Sequence, residues 1–370
     1  MLNSISIRTI TPVAFLALAT ITSAYQNYEV INIGTLPGSD YSLVSAINNN
    51  NVIVGTSYAG PTTRGWYWRE DVGMNQIHFG NQINTTAHDI NDFDHVVGSF
   101  TEGSTTKGFR YNYGAWWYNS PIPGQSESST RGINNLFQSV GFSDFANQAR
   151  ATGWLPILPD TPGFALPNYG NQESSGAFRI NDSGDSVGNA RLAGTIRASI
   201  FKNNNSIFDL HGLMPQGTNF SNAFDINQAG WVVGEARKQN GFTDAFVFNL
   251  ELGMQIIPGA DPSQSAQFNA INDNGMAVGA MNQNTASLAS IWTSQYGLAD
   301  LNTLIDPNSG WTLTSAEDVN NSGWIVGQGT FNGVLSTYLA RPTDAVPEPA
   351  SMTILALGIG TLIARKRKKS

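Results

Sequence analysis

No cysteine occurs anywhere in the chain. That excludes disulfide staples, thiol nucleophiles and cysteine metal clusters, so the fold must rest on its own core. Charge is also scarce, at 12% of residues, with a formal net of −8. Arg8 and the five basic residues at 365–369 lie in segments read below as leader and tail. Taking those six from the 19 basic side chains leaves 13 against 27 acidic ones, a charge of −14. Such a body is unsuited to nucleic acid or anionic lipid, which bind through basic surface. Residues 28–341 show no sustained helical period. No Gly-x-Ser-x-Gly elbow, phosphate loop or zinc-type His pair stands out.

What is present is repetition. Ile226-Asn227-Gln228-Ala229-Gly230-Trp231-Val232-Val233-Gly234 recurs from Ile271 to Gly279 and, with Val for Ile, from Val319 to Gly327. Earlier copies run from Ile47 to Gly55, Ile90 to Gly98, Ile133 to Gly141 and Ile180 to Gly188. The closing glycines are 43, 43, 47, 46, 45 and 48 residues apart. A fixed motif at a period in the forties marks a repeat architecture.

Each copy reads as a β-hairpin. The Asn suits the first position of a type I turn, where its side chain bonds backbone two residues on. Three residues later stands a position that takes a left-handed conformation. This gives the structural turn pairs Asn181 and Gly184, Asn227 and Gly230, Asn272 and Gly275, and Asn320 and Gly323. Asn51 and Asp94 occupy the left-handed place in the first two copies, as residue types that tolerate it. Phe137 breaks the rule, and a distorted turn is expected there. The Gly that closes each copy leaves a strand without a side chain, which points to close approach of a neighbouring backbone.

Around each copy the sequence divides into four short strands separated by turn residues. For the fifth copy these are Ala223–Ile226, Trp231–Glu235, Asp244–Asn249 and Gly253–Ile257. Units of this size predict an all-β fold: a single β-propeller of seven four-stranded blades over residues 25–342. The seventh copy lacks a fourth strand, and the N-terminus has a spare one, Tyr28–Ile33. Pairing the two closes the ring and removes an exposed sheet edge. An open solenoid is the alternative, but it requires polar capping repeats that are missing.

Residues 1–24 form a signal peptide, with Arg8, an apolar run and the small residues Thr22-Ser23-Ala24 before the cut. At the other end, residues 343–351 are a linker containing Val346, Pro347, Glu348 and Pro349. A hydrophobic helix is expected over 352–364, followed by a basic tail at 365–370. Arg365, Lys366, Arg367, Lys368 and Lys369 act there as a cytoplasmic stop under the positive-inside rule. A run this short suits transient anchoring in the inner membrane.

Two resemblances follow from these residues. The Ile-Asn-x-x-Gly-x-x-Val-Gly copies, with third strands such as Asp244-Ala245-Phe246-Val247-Phe248, resemble extracellular HAF-repeat proteins. Asp244 or other residues replace the His of that motif, so it has no role here. This likeness implies a repeat fold with no established activity. The linker, apolar run and basic cluster together are similar to the PEP-CTERM sorting signal. That implies recognition by an exosortase-type transpeptidase in a Gram-negative, exopolysaccharide-producing bacterium, with the mature protein at the surface or outside the cell.

Candidate chemistry is sparse. His88, Asp92, Asp94 and His95 fall within eight residues, and the set is oxygen-rich enough for calcium. The same turn recurs without His in the other copies, so turn chemistry explains the acids, and no metal or cofactor is assigned. Trp66, Trp68, Trp116, Trp117, Trp231, Trp311 and Trp324 can stack on sugars, but strand positions favour packing between blades. Two function classes remain. One is a non-catalytic surface or matrix protein binding extracellular polysaccharide, and the other is a propeller enzyme on glycans with carboxylates at the ring centre. With no carboxylate pair recurring outside turns, the first is favoured.

Overall fold

A computed structural model describes residues 25–78, 83–144, 148–156, 160–170, 173–259, 261, 263–283 and 286–343. The expected signal peptide and hydrophobic helix, with the sorting motif and the basic tail, lie outside the described residues. Among the described residues no helix is long and apolar enough to cross a membrane.

The chain forms a seven-bladed β-propeller. From the axis outwards, blade 1 consists of Tyr41–Ile47, Ile53–Ala59, Thr62–Arg69 and Gly73–Gln76. Blade 2 consists of Ile83–Ile90, Val96–Glu102, Thr105–Asn112 and Ala115–Ser120. Blade 3 has Glu127–Ile133, Ser139–Asp144, Arg150–Trp154 and the short Phe164–Ala165. Blade 4 has Ser175–Ile180, Ser186–Leu192, Thr195–Lys202 and Ser206–Asp209. Blade 5 has Thr218–Ile226, Val232–Lys238, Thr243–Asn249 and Gly253–Ile257. Blade 6 has Ala266–Ile271, Ala277–Gln283, Ala286–Thr293 and Gly297–Asp300. Blade 7 has Trp311–Val319, Ile325–Phe331 and Val334–Pro342, and its outer strand is Tyr28–Asn32 from the other end of the chain. That strand runs antiparallel to the last, with Tyr28 opposite Pro342 and Asn32 opposite Tyr338.

Two details differ from the repeat pattern. Blade 2 gains a fifth strand, Thr161–Pro162, lying parallel to Ala115–Ser120. It comes from the long connection inside blade 3, whose Pro-rich sequence gives no strand signal. The innermost strands also begin earlier than the motif suggests: that of blade 5 starts at Thr218, not Ala223.

Every motif turn has one geometry. The residue three after the Asn has φ between +60° and +79° in all seven copies, and its N–H bonds the Asn carbonyl. The expected distortion at Phe137 is absent. Phe137 adopts φ +61° and donates its N–H to Asn134 O at 3.1 Å like the others. Its ring packs 4.8 Å from His95 and 5.3 Å from Phe93, contacts that offset the cost of a left-handed non-glycine residue.

Just before each turn the inner strand carries a β-bulge, at Ser45, His88, Arg131, Phe178, Phe224, Asn269 and Glu317. The bulge presses the inner strand onto its neighbour, and this is what the closing glycine accommodates. A Cβ on Gly234 would lie 2.0 Å from Asn222 O and 2.8 Å from the Phe246 ring. Gly55 is caught the same way between Leu43 O and Trp66. The core then lies between blades, in apolar layers such as Val54, Ile90, Phe100 and Phe109 between blades 1 and 2. Trp66, Trp68 and Trp311 are buried there, while Trp116 remains exposed.

Candidate functional site

The seven inner strands surround an axial channel, and their motif turns form one mouth of it. Ile47, Ile90, Ile133, Ile180, Ile226, Ile271 and Val319 line the channel just inside that mouth. The buried motif asparagines sit above them. Each Asn spends its side-chain oxygen within its own blade, accepting the N–H four residues on at 2.8 to 3.1 Å. Each spends its amide on the next blade. Asn48 donates to Asn91 O, Asn91 to Asn134 O, and so on round to Asn320, which donates to Asn48 O, all at 2.9 to 3.2 Å.

A second ring runs beside the first. The backbone N–H of the residue after each Asn donates to the side-chain oxygen of its counterpart in the next blade. Asn49 bonds Asp92, Asp92 bonds Asn135, and the series continues through Asp182, Gln228, Asp273 and Asn321 back to Asn49, at 2.8 to 2.9 Å. The place after the motif Asn must therefore offer an acceptor, and all seven copies have Asn, Asp or Gln there. Both rings are closed and run in one direction.

Below the aliphatic layer lies a group of charges that the sequence reading did not find. Asp89, Asp225 and Asp318 directly precede the aliphatic residue in blades 2, 5 and 7, and Arg179 holds that place in blade 4. Each Asp reaches across a blade joint, accepting the N–H of Ile133, Ile271 or Ile47 at 2.8 to 2.9 Å. Asp225 and Asp318 also accept the N–H of their own following residue, at 2.8 Å. Arg179 is the counter-charge: its guanidinium stands 3.8 Å from Asp89, donates to Arg131 O, and feels Asp318, Asp225 and Glu317 as well. Burial outweighs the attraction of Arg179 and raises Asp225 to about 6 and Asp318 to about 7. It pushes Asp89 and Glu317 up too. The channel therefore holds carboxyl groups that titrate close to neutrality. The signal was in the sequence, as an acid or Arg immediately before the motif, but it occurs in only some copies.

The four residues grouped as a metal candidate are separated. His88 is a bulge residue, its Nδ1 is 2.7 Å from Thr130 O, and burial followed by the field of Arg131 lowers its pKa to about 3. Asp92 belongs to the second ring. Asp94 accepts from Asn48 and Tyr113. His95 stacks on Trp117 at 5.8 Å, and burial and then Arg110 lower its pKa to about 4. Among the described residues no group of three or more His, Cys, Asp or Glu side chains is placed to hold a metal ion. Adjacency in sequence put these residues on different faces of a bulged strand and its turn.

At the channel mouth, between the turns and Asp225, the cavity measures about 140 Å³. The opposite face of the ring, made by the starts of the inner strands and the second-to-third-strand hairpins, carries larger polar clefts. One of about 460 Å³ lies between blades 5 and 6, and one of about 620 Å³ lies on the other side of blade 5.

The PEP-CTERM protein-sorting motif matches residues 345–368. It implies recognition by an exosortase, export and sorting toward the cell surface. No curated protein matches this chain. Among solved structures, a streptogramin B lyase aligns with a TM-score of 0.55 at 10% identity, covering 86% of this chain and 98% of its own. Virginiamycin B lyase from Staphylococcus aureus aligns at 0.51 and 11% identity, covering 84% and 99%. An oligogalacturonate lyase in complex with manganese aligns at 0.51 and 10%, covering 86% and 96%. At these identities the likeness is one of fold.

Proposed function

We propose that this exported, exosortase-sorted propeller is a non-catalytic surface or exopolysaccharide-matrix protein that binds polysaccharide. The observation that carries the reading is the commitment of the ring-centre carboxyls. Asp89, Asp225 and Asp318 each accept a backbone N–H from the next blade, so they join blades. The space beside Asp225 at the channel mouth, about 140 Å³, falls below the range of about 300–1,000 Å³ usual for ligand pockets. Polar clefts of the usual size lie on the opposite face, away from those acids. The sorting motif supports a polysaccharide-rich destination, reached after transient anchoring in the inner membrane and removal of the tail. The repeats' likeness to HAF-repeat proteins fits the same extracellular setting.

The experiment is a glycan array with the exported protein, scored both for binding and for cleavage of bound chains. Binding without cleavage supports the reading, and no binding to any glycan refutes it. The enzyme reading rests on one observation, the presence of acids raised to about 6 and 7 in the channel. It predicts cleavage that Asp318→Asn abolishes. Mass spectrometry of the exported form tests the sorting step: an intact Arg365–Ser370 end would refute processing.

A further inference from the structure

We infer that the cleft between blades 5 and 6 is the polysaccharide site, and that it takes neutral sugar residues; this rests on the polysaccharide-binding reading above. Its wall is built on the inner strand, the second strand and the second-to-third-strand hairpin of blade 5. Along Val232–Lys238 side chains alternate, so Glu235 and Arg237 face this cleft while Ala236 and Lys238 face the cleft on the other side. The Arg237 guanidinium lies 5.6 Å from the centroid of the Phe220 ring, and its Nε donates to Gly241 O at 3.1 Å. These two contacts fix its direction, and among the described residues it forms no ion pair. Glu235 takes one bond from Asn222, at 2.9 Å to Oε1. Among the described residues its other oxygen accepts no bond, which leaves it for a ligand hydroxyl. Gln267, Thr243 and several serines add to the polar lining.

This combination matches a pyranose. An aromatic ring meets the C–H face of a sugar, a carboxylate oxygen accepts from hydroxyls, and a guanidinium donates to ring and hydroxyl oxygens. Sugar hydroxyls both give and accept, so a cleft with a free acceptor beside a fixed donor serves them well. The volume of about 460 Å³ lies within the usual ligand range. The second cleft, of about 620 Å³, shares the Arg237–Gly241 hairpin, which suits a polymer lying across the hairpin. Two features select a neutral chain. Glu235 and Arg237 cancel within the cleft, and the acidic excess of the whole body repels polyanions.

Affinity electrophoresis of the exported protein through gels containing dextran or polygalacturonate tests the site. Dextran should retard the wild type and polygalacturonate should not. Phe220→Ala should weaken retardation by roughly tenfold, as expected for loss of an aromatic platform. Glu235→Gln, which keeps the bond from Asn222, should weaken it by roughly fivefold through loss of a charged acceptor. Tyr41→Ala, at an exposed aromatic pair on blade 1, should change nothing. Retardation unchanged in both cleft variants overturns this site while leaving polysaccharide binding intact. Stronger retardation by polygalacturonate overturns the neutral class, and retardation by neither polymer overturns the neutral-sugar site. Only a glycan array without any binding overturns the polysaccharide reading beneath it.

Discussion

Replacing Asn227 separates the two jobs its side chain does. The residue is 5% exposed. Its Oδ1 accepts from Trp231 N at 2.9 Å, which holds the turn, and its Nδ2 donates to Asn272 O at 3.0 Å, which holds blade 5 to blade 6. Asn227→Ala removes both bonds and leaves a buried N–H and a carbonyl short of partners. At about 0.5–1.5 kcal/mol per bond, plus the cost of the orphaned groups, the loss is roughly 2–4 kcal/mol. That is a large fraction of the roughly 5–15 kcal/mol typical of a domain. Asn227→Asp is the sharper probe. Aspartate keeps the turn acceptor and is itself a good turn residue, so a purely local role makes this change neutral. The inter-blade role makes it costly, because a carboxylate oxygen then faces the Asn272 carbonyl. Urea unfolding followed by tryptophan fluorescence measures both variants. The structure predicts that Asn227→Asp loses at least 2 kcal/mol at pH 7 and recovers on acidification, when the protonated oxygen donates again. An Asn227→Asp protein as stable as wild type at pH 7 refutes the closed asparagine ring as a stabilising device.

Other perturbations probe the same frame. Gly234→Ala should prevent folding or cost over about 3 kcal/mol, because its Cβ would lie 2.0 Å from Asn222 O. Gly230→Ala, with φ +78° but nothing within 4 Å, should cost only about 1 kcal/mol, and thermal melts of the pair distinguish crowding from conformation. Removing residues up to Asn32 uncovers the edge of Val334–Pro342 and apolar residues beneath it, at roughly 1.5–3 kcal/mol each, so a melt equal to wild type contradicts closure. Stability should also depend on pH through the channel acids. Asp225 and Asp318 titrate near 6 and 7 in the fold and near 4 when unfolded, so the folded state holds more protons between those values. Their stabilisation is complete below about pH 4 and is lost as pH rises to about 7. The urea midpoint should fall over that window, and Asp318→Asn should flatten the slope.

How much of this could be read from the sequence follows from what each signal determines. The hairpins, the left-handed turn positions and the crowded glycines were legible, because each depends on a local rule that repeats seven times. The missing fourth strand at one end and the spare one at the other fixed the closure. The asparagine rings were hidden by degeneracy, since turn chemistry alone accounts for Asn at that place. The sequence shows the residue but not that its amide is left over for the next blade. Phe137 was misread because the strain of its backbone was visible and the rings of His95 and Phe93 around it were not. The channel charges escaped for another reason. Asp89, Asp225, Asp318 and Arg179 share one structural position, but different residues fill it in the other blades, so no repeat pattern exposes them. Nor does sequence tell that the cleft beside blade 5 brings Phe220, Glu235 and Gln267 together, since only the ring places blade 6 against blade 5.

The most direct test of the functional reading uses the host's own extracellular polysaccharide. The exported protein is mixed with that polymer, sedimented, and the chain length of the polymer is measured by size-exclusion chromatography after prolonged incubation. The account predicts co-sedimentation with no change in chain length. Shortened chains, or protein left entirely in the supernatant, would contradict it.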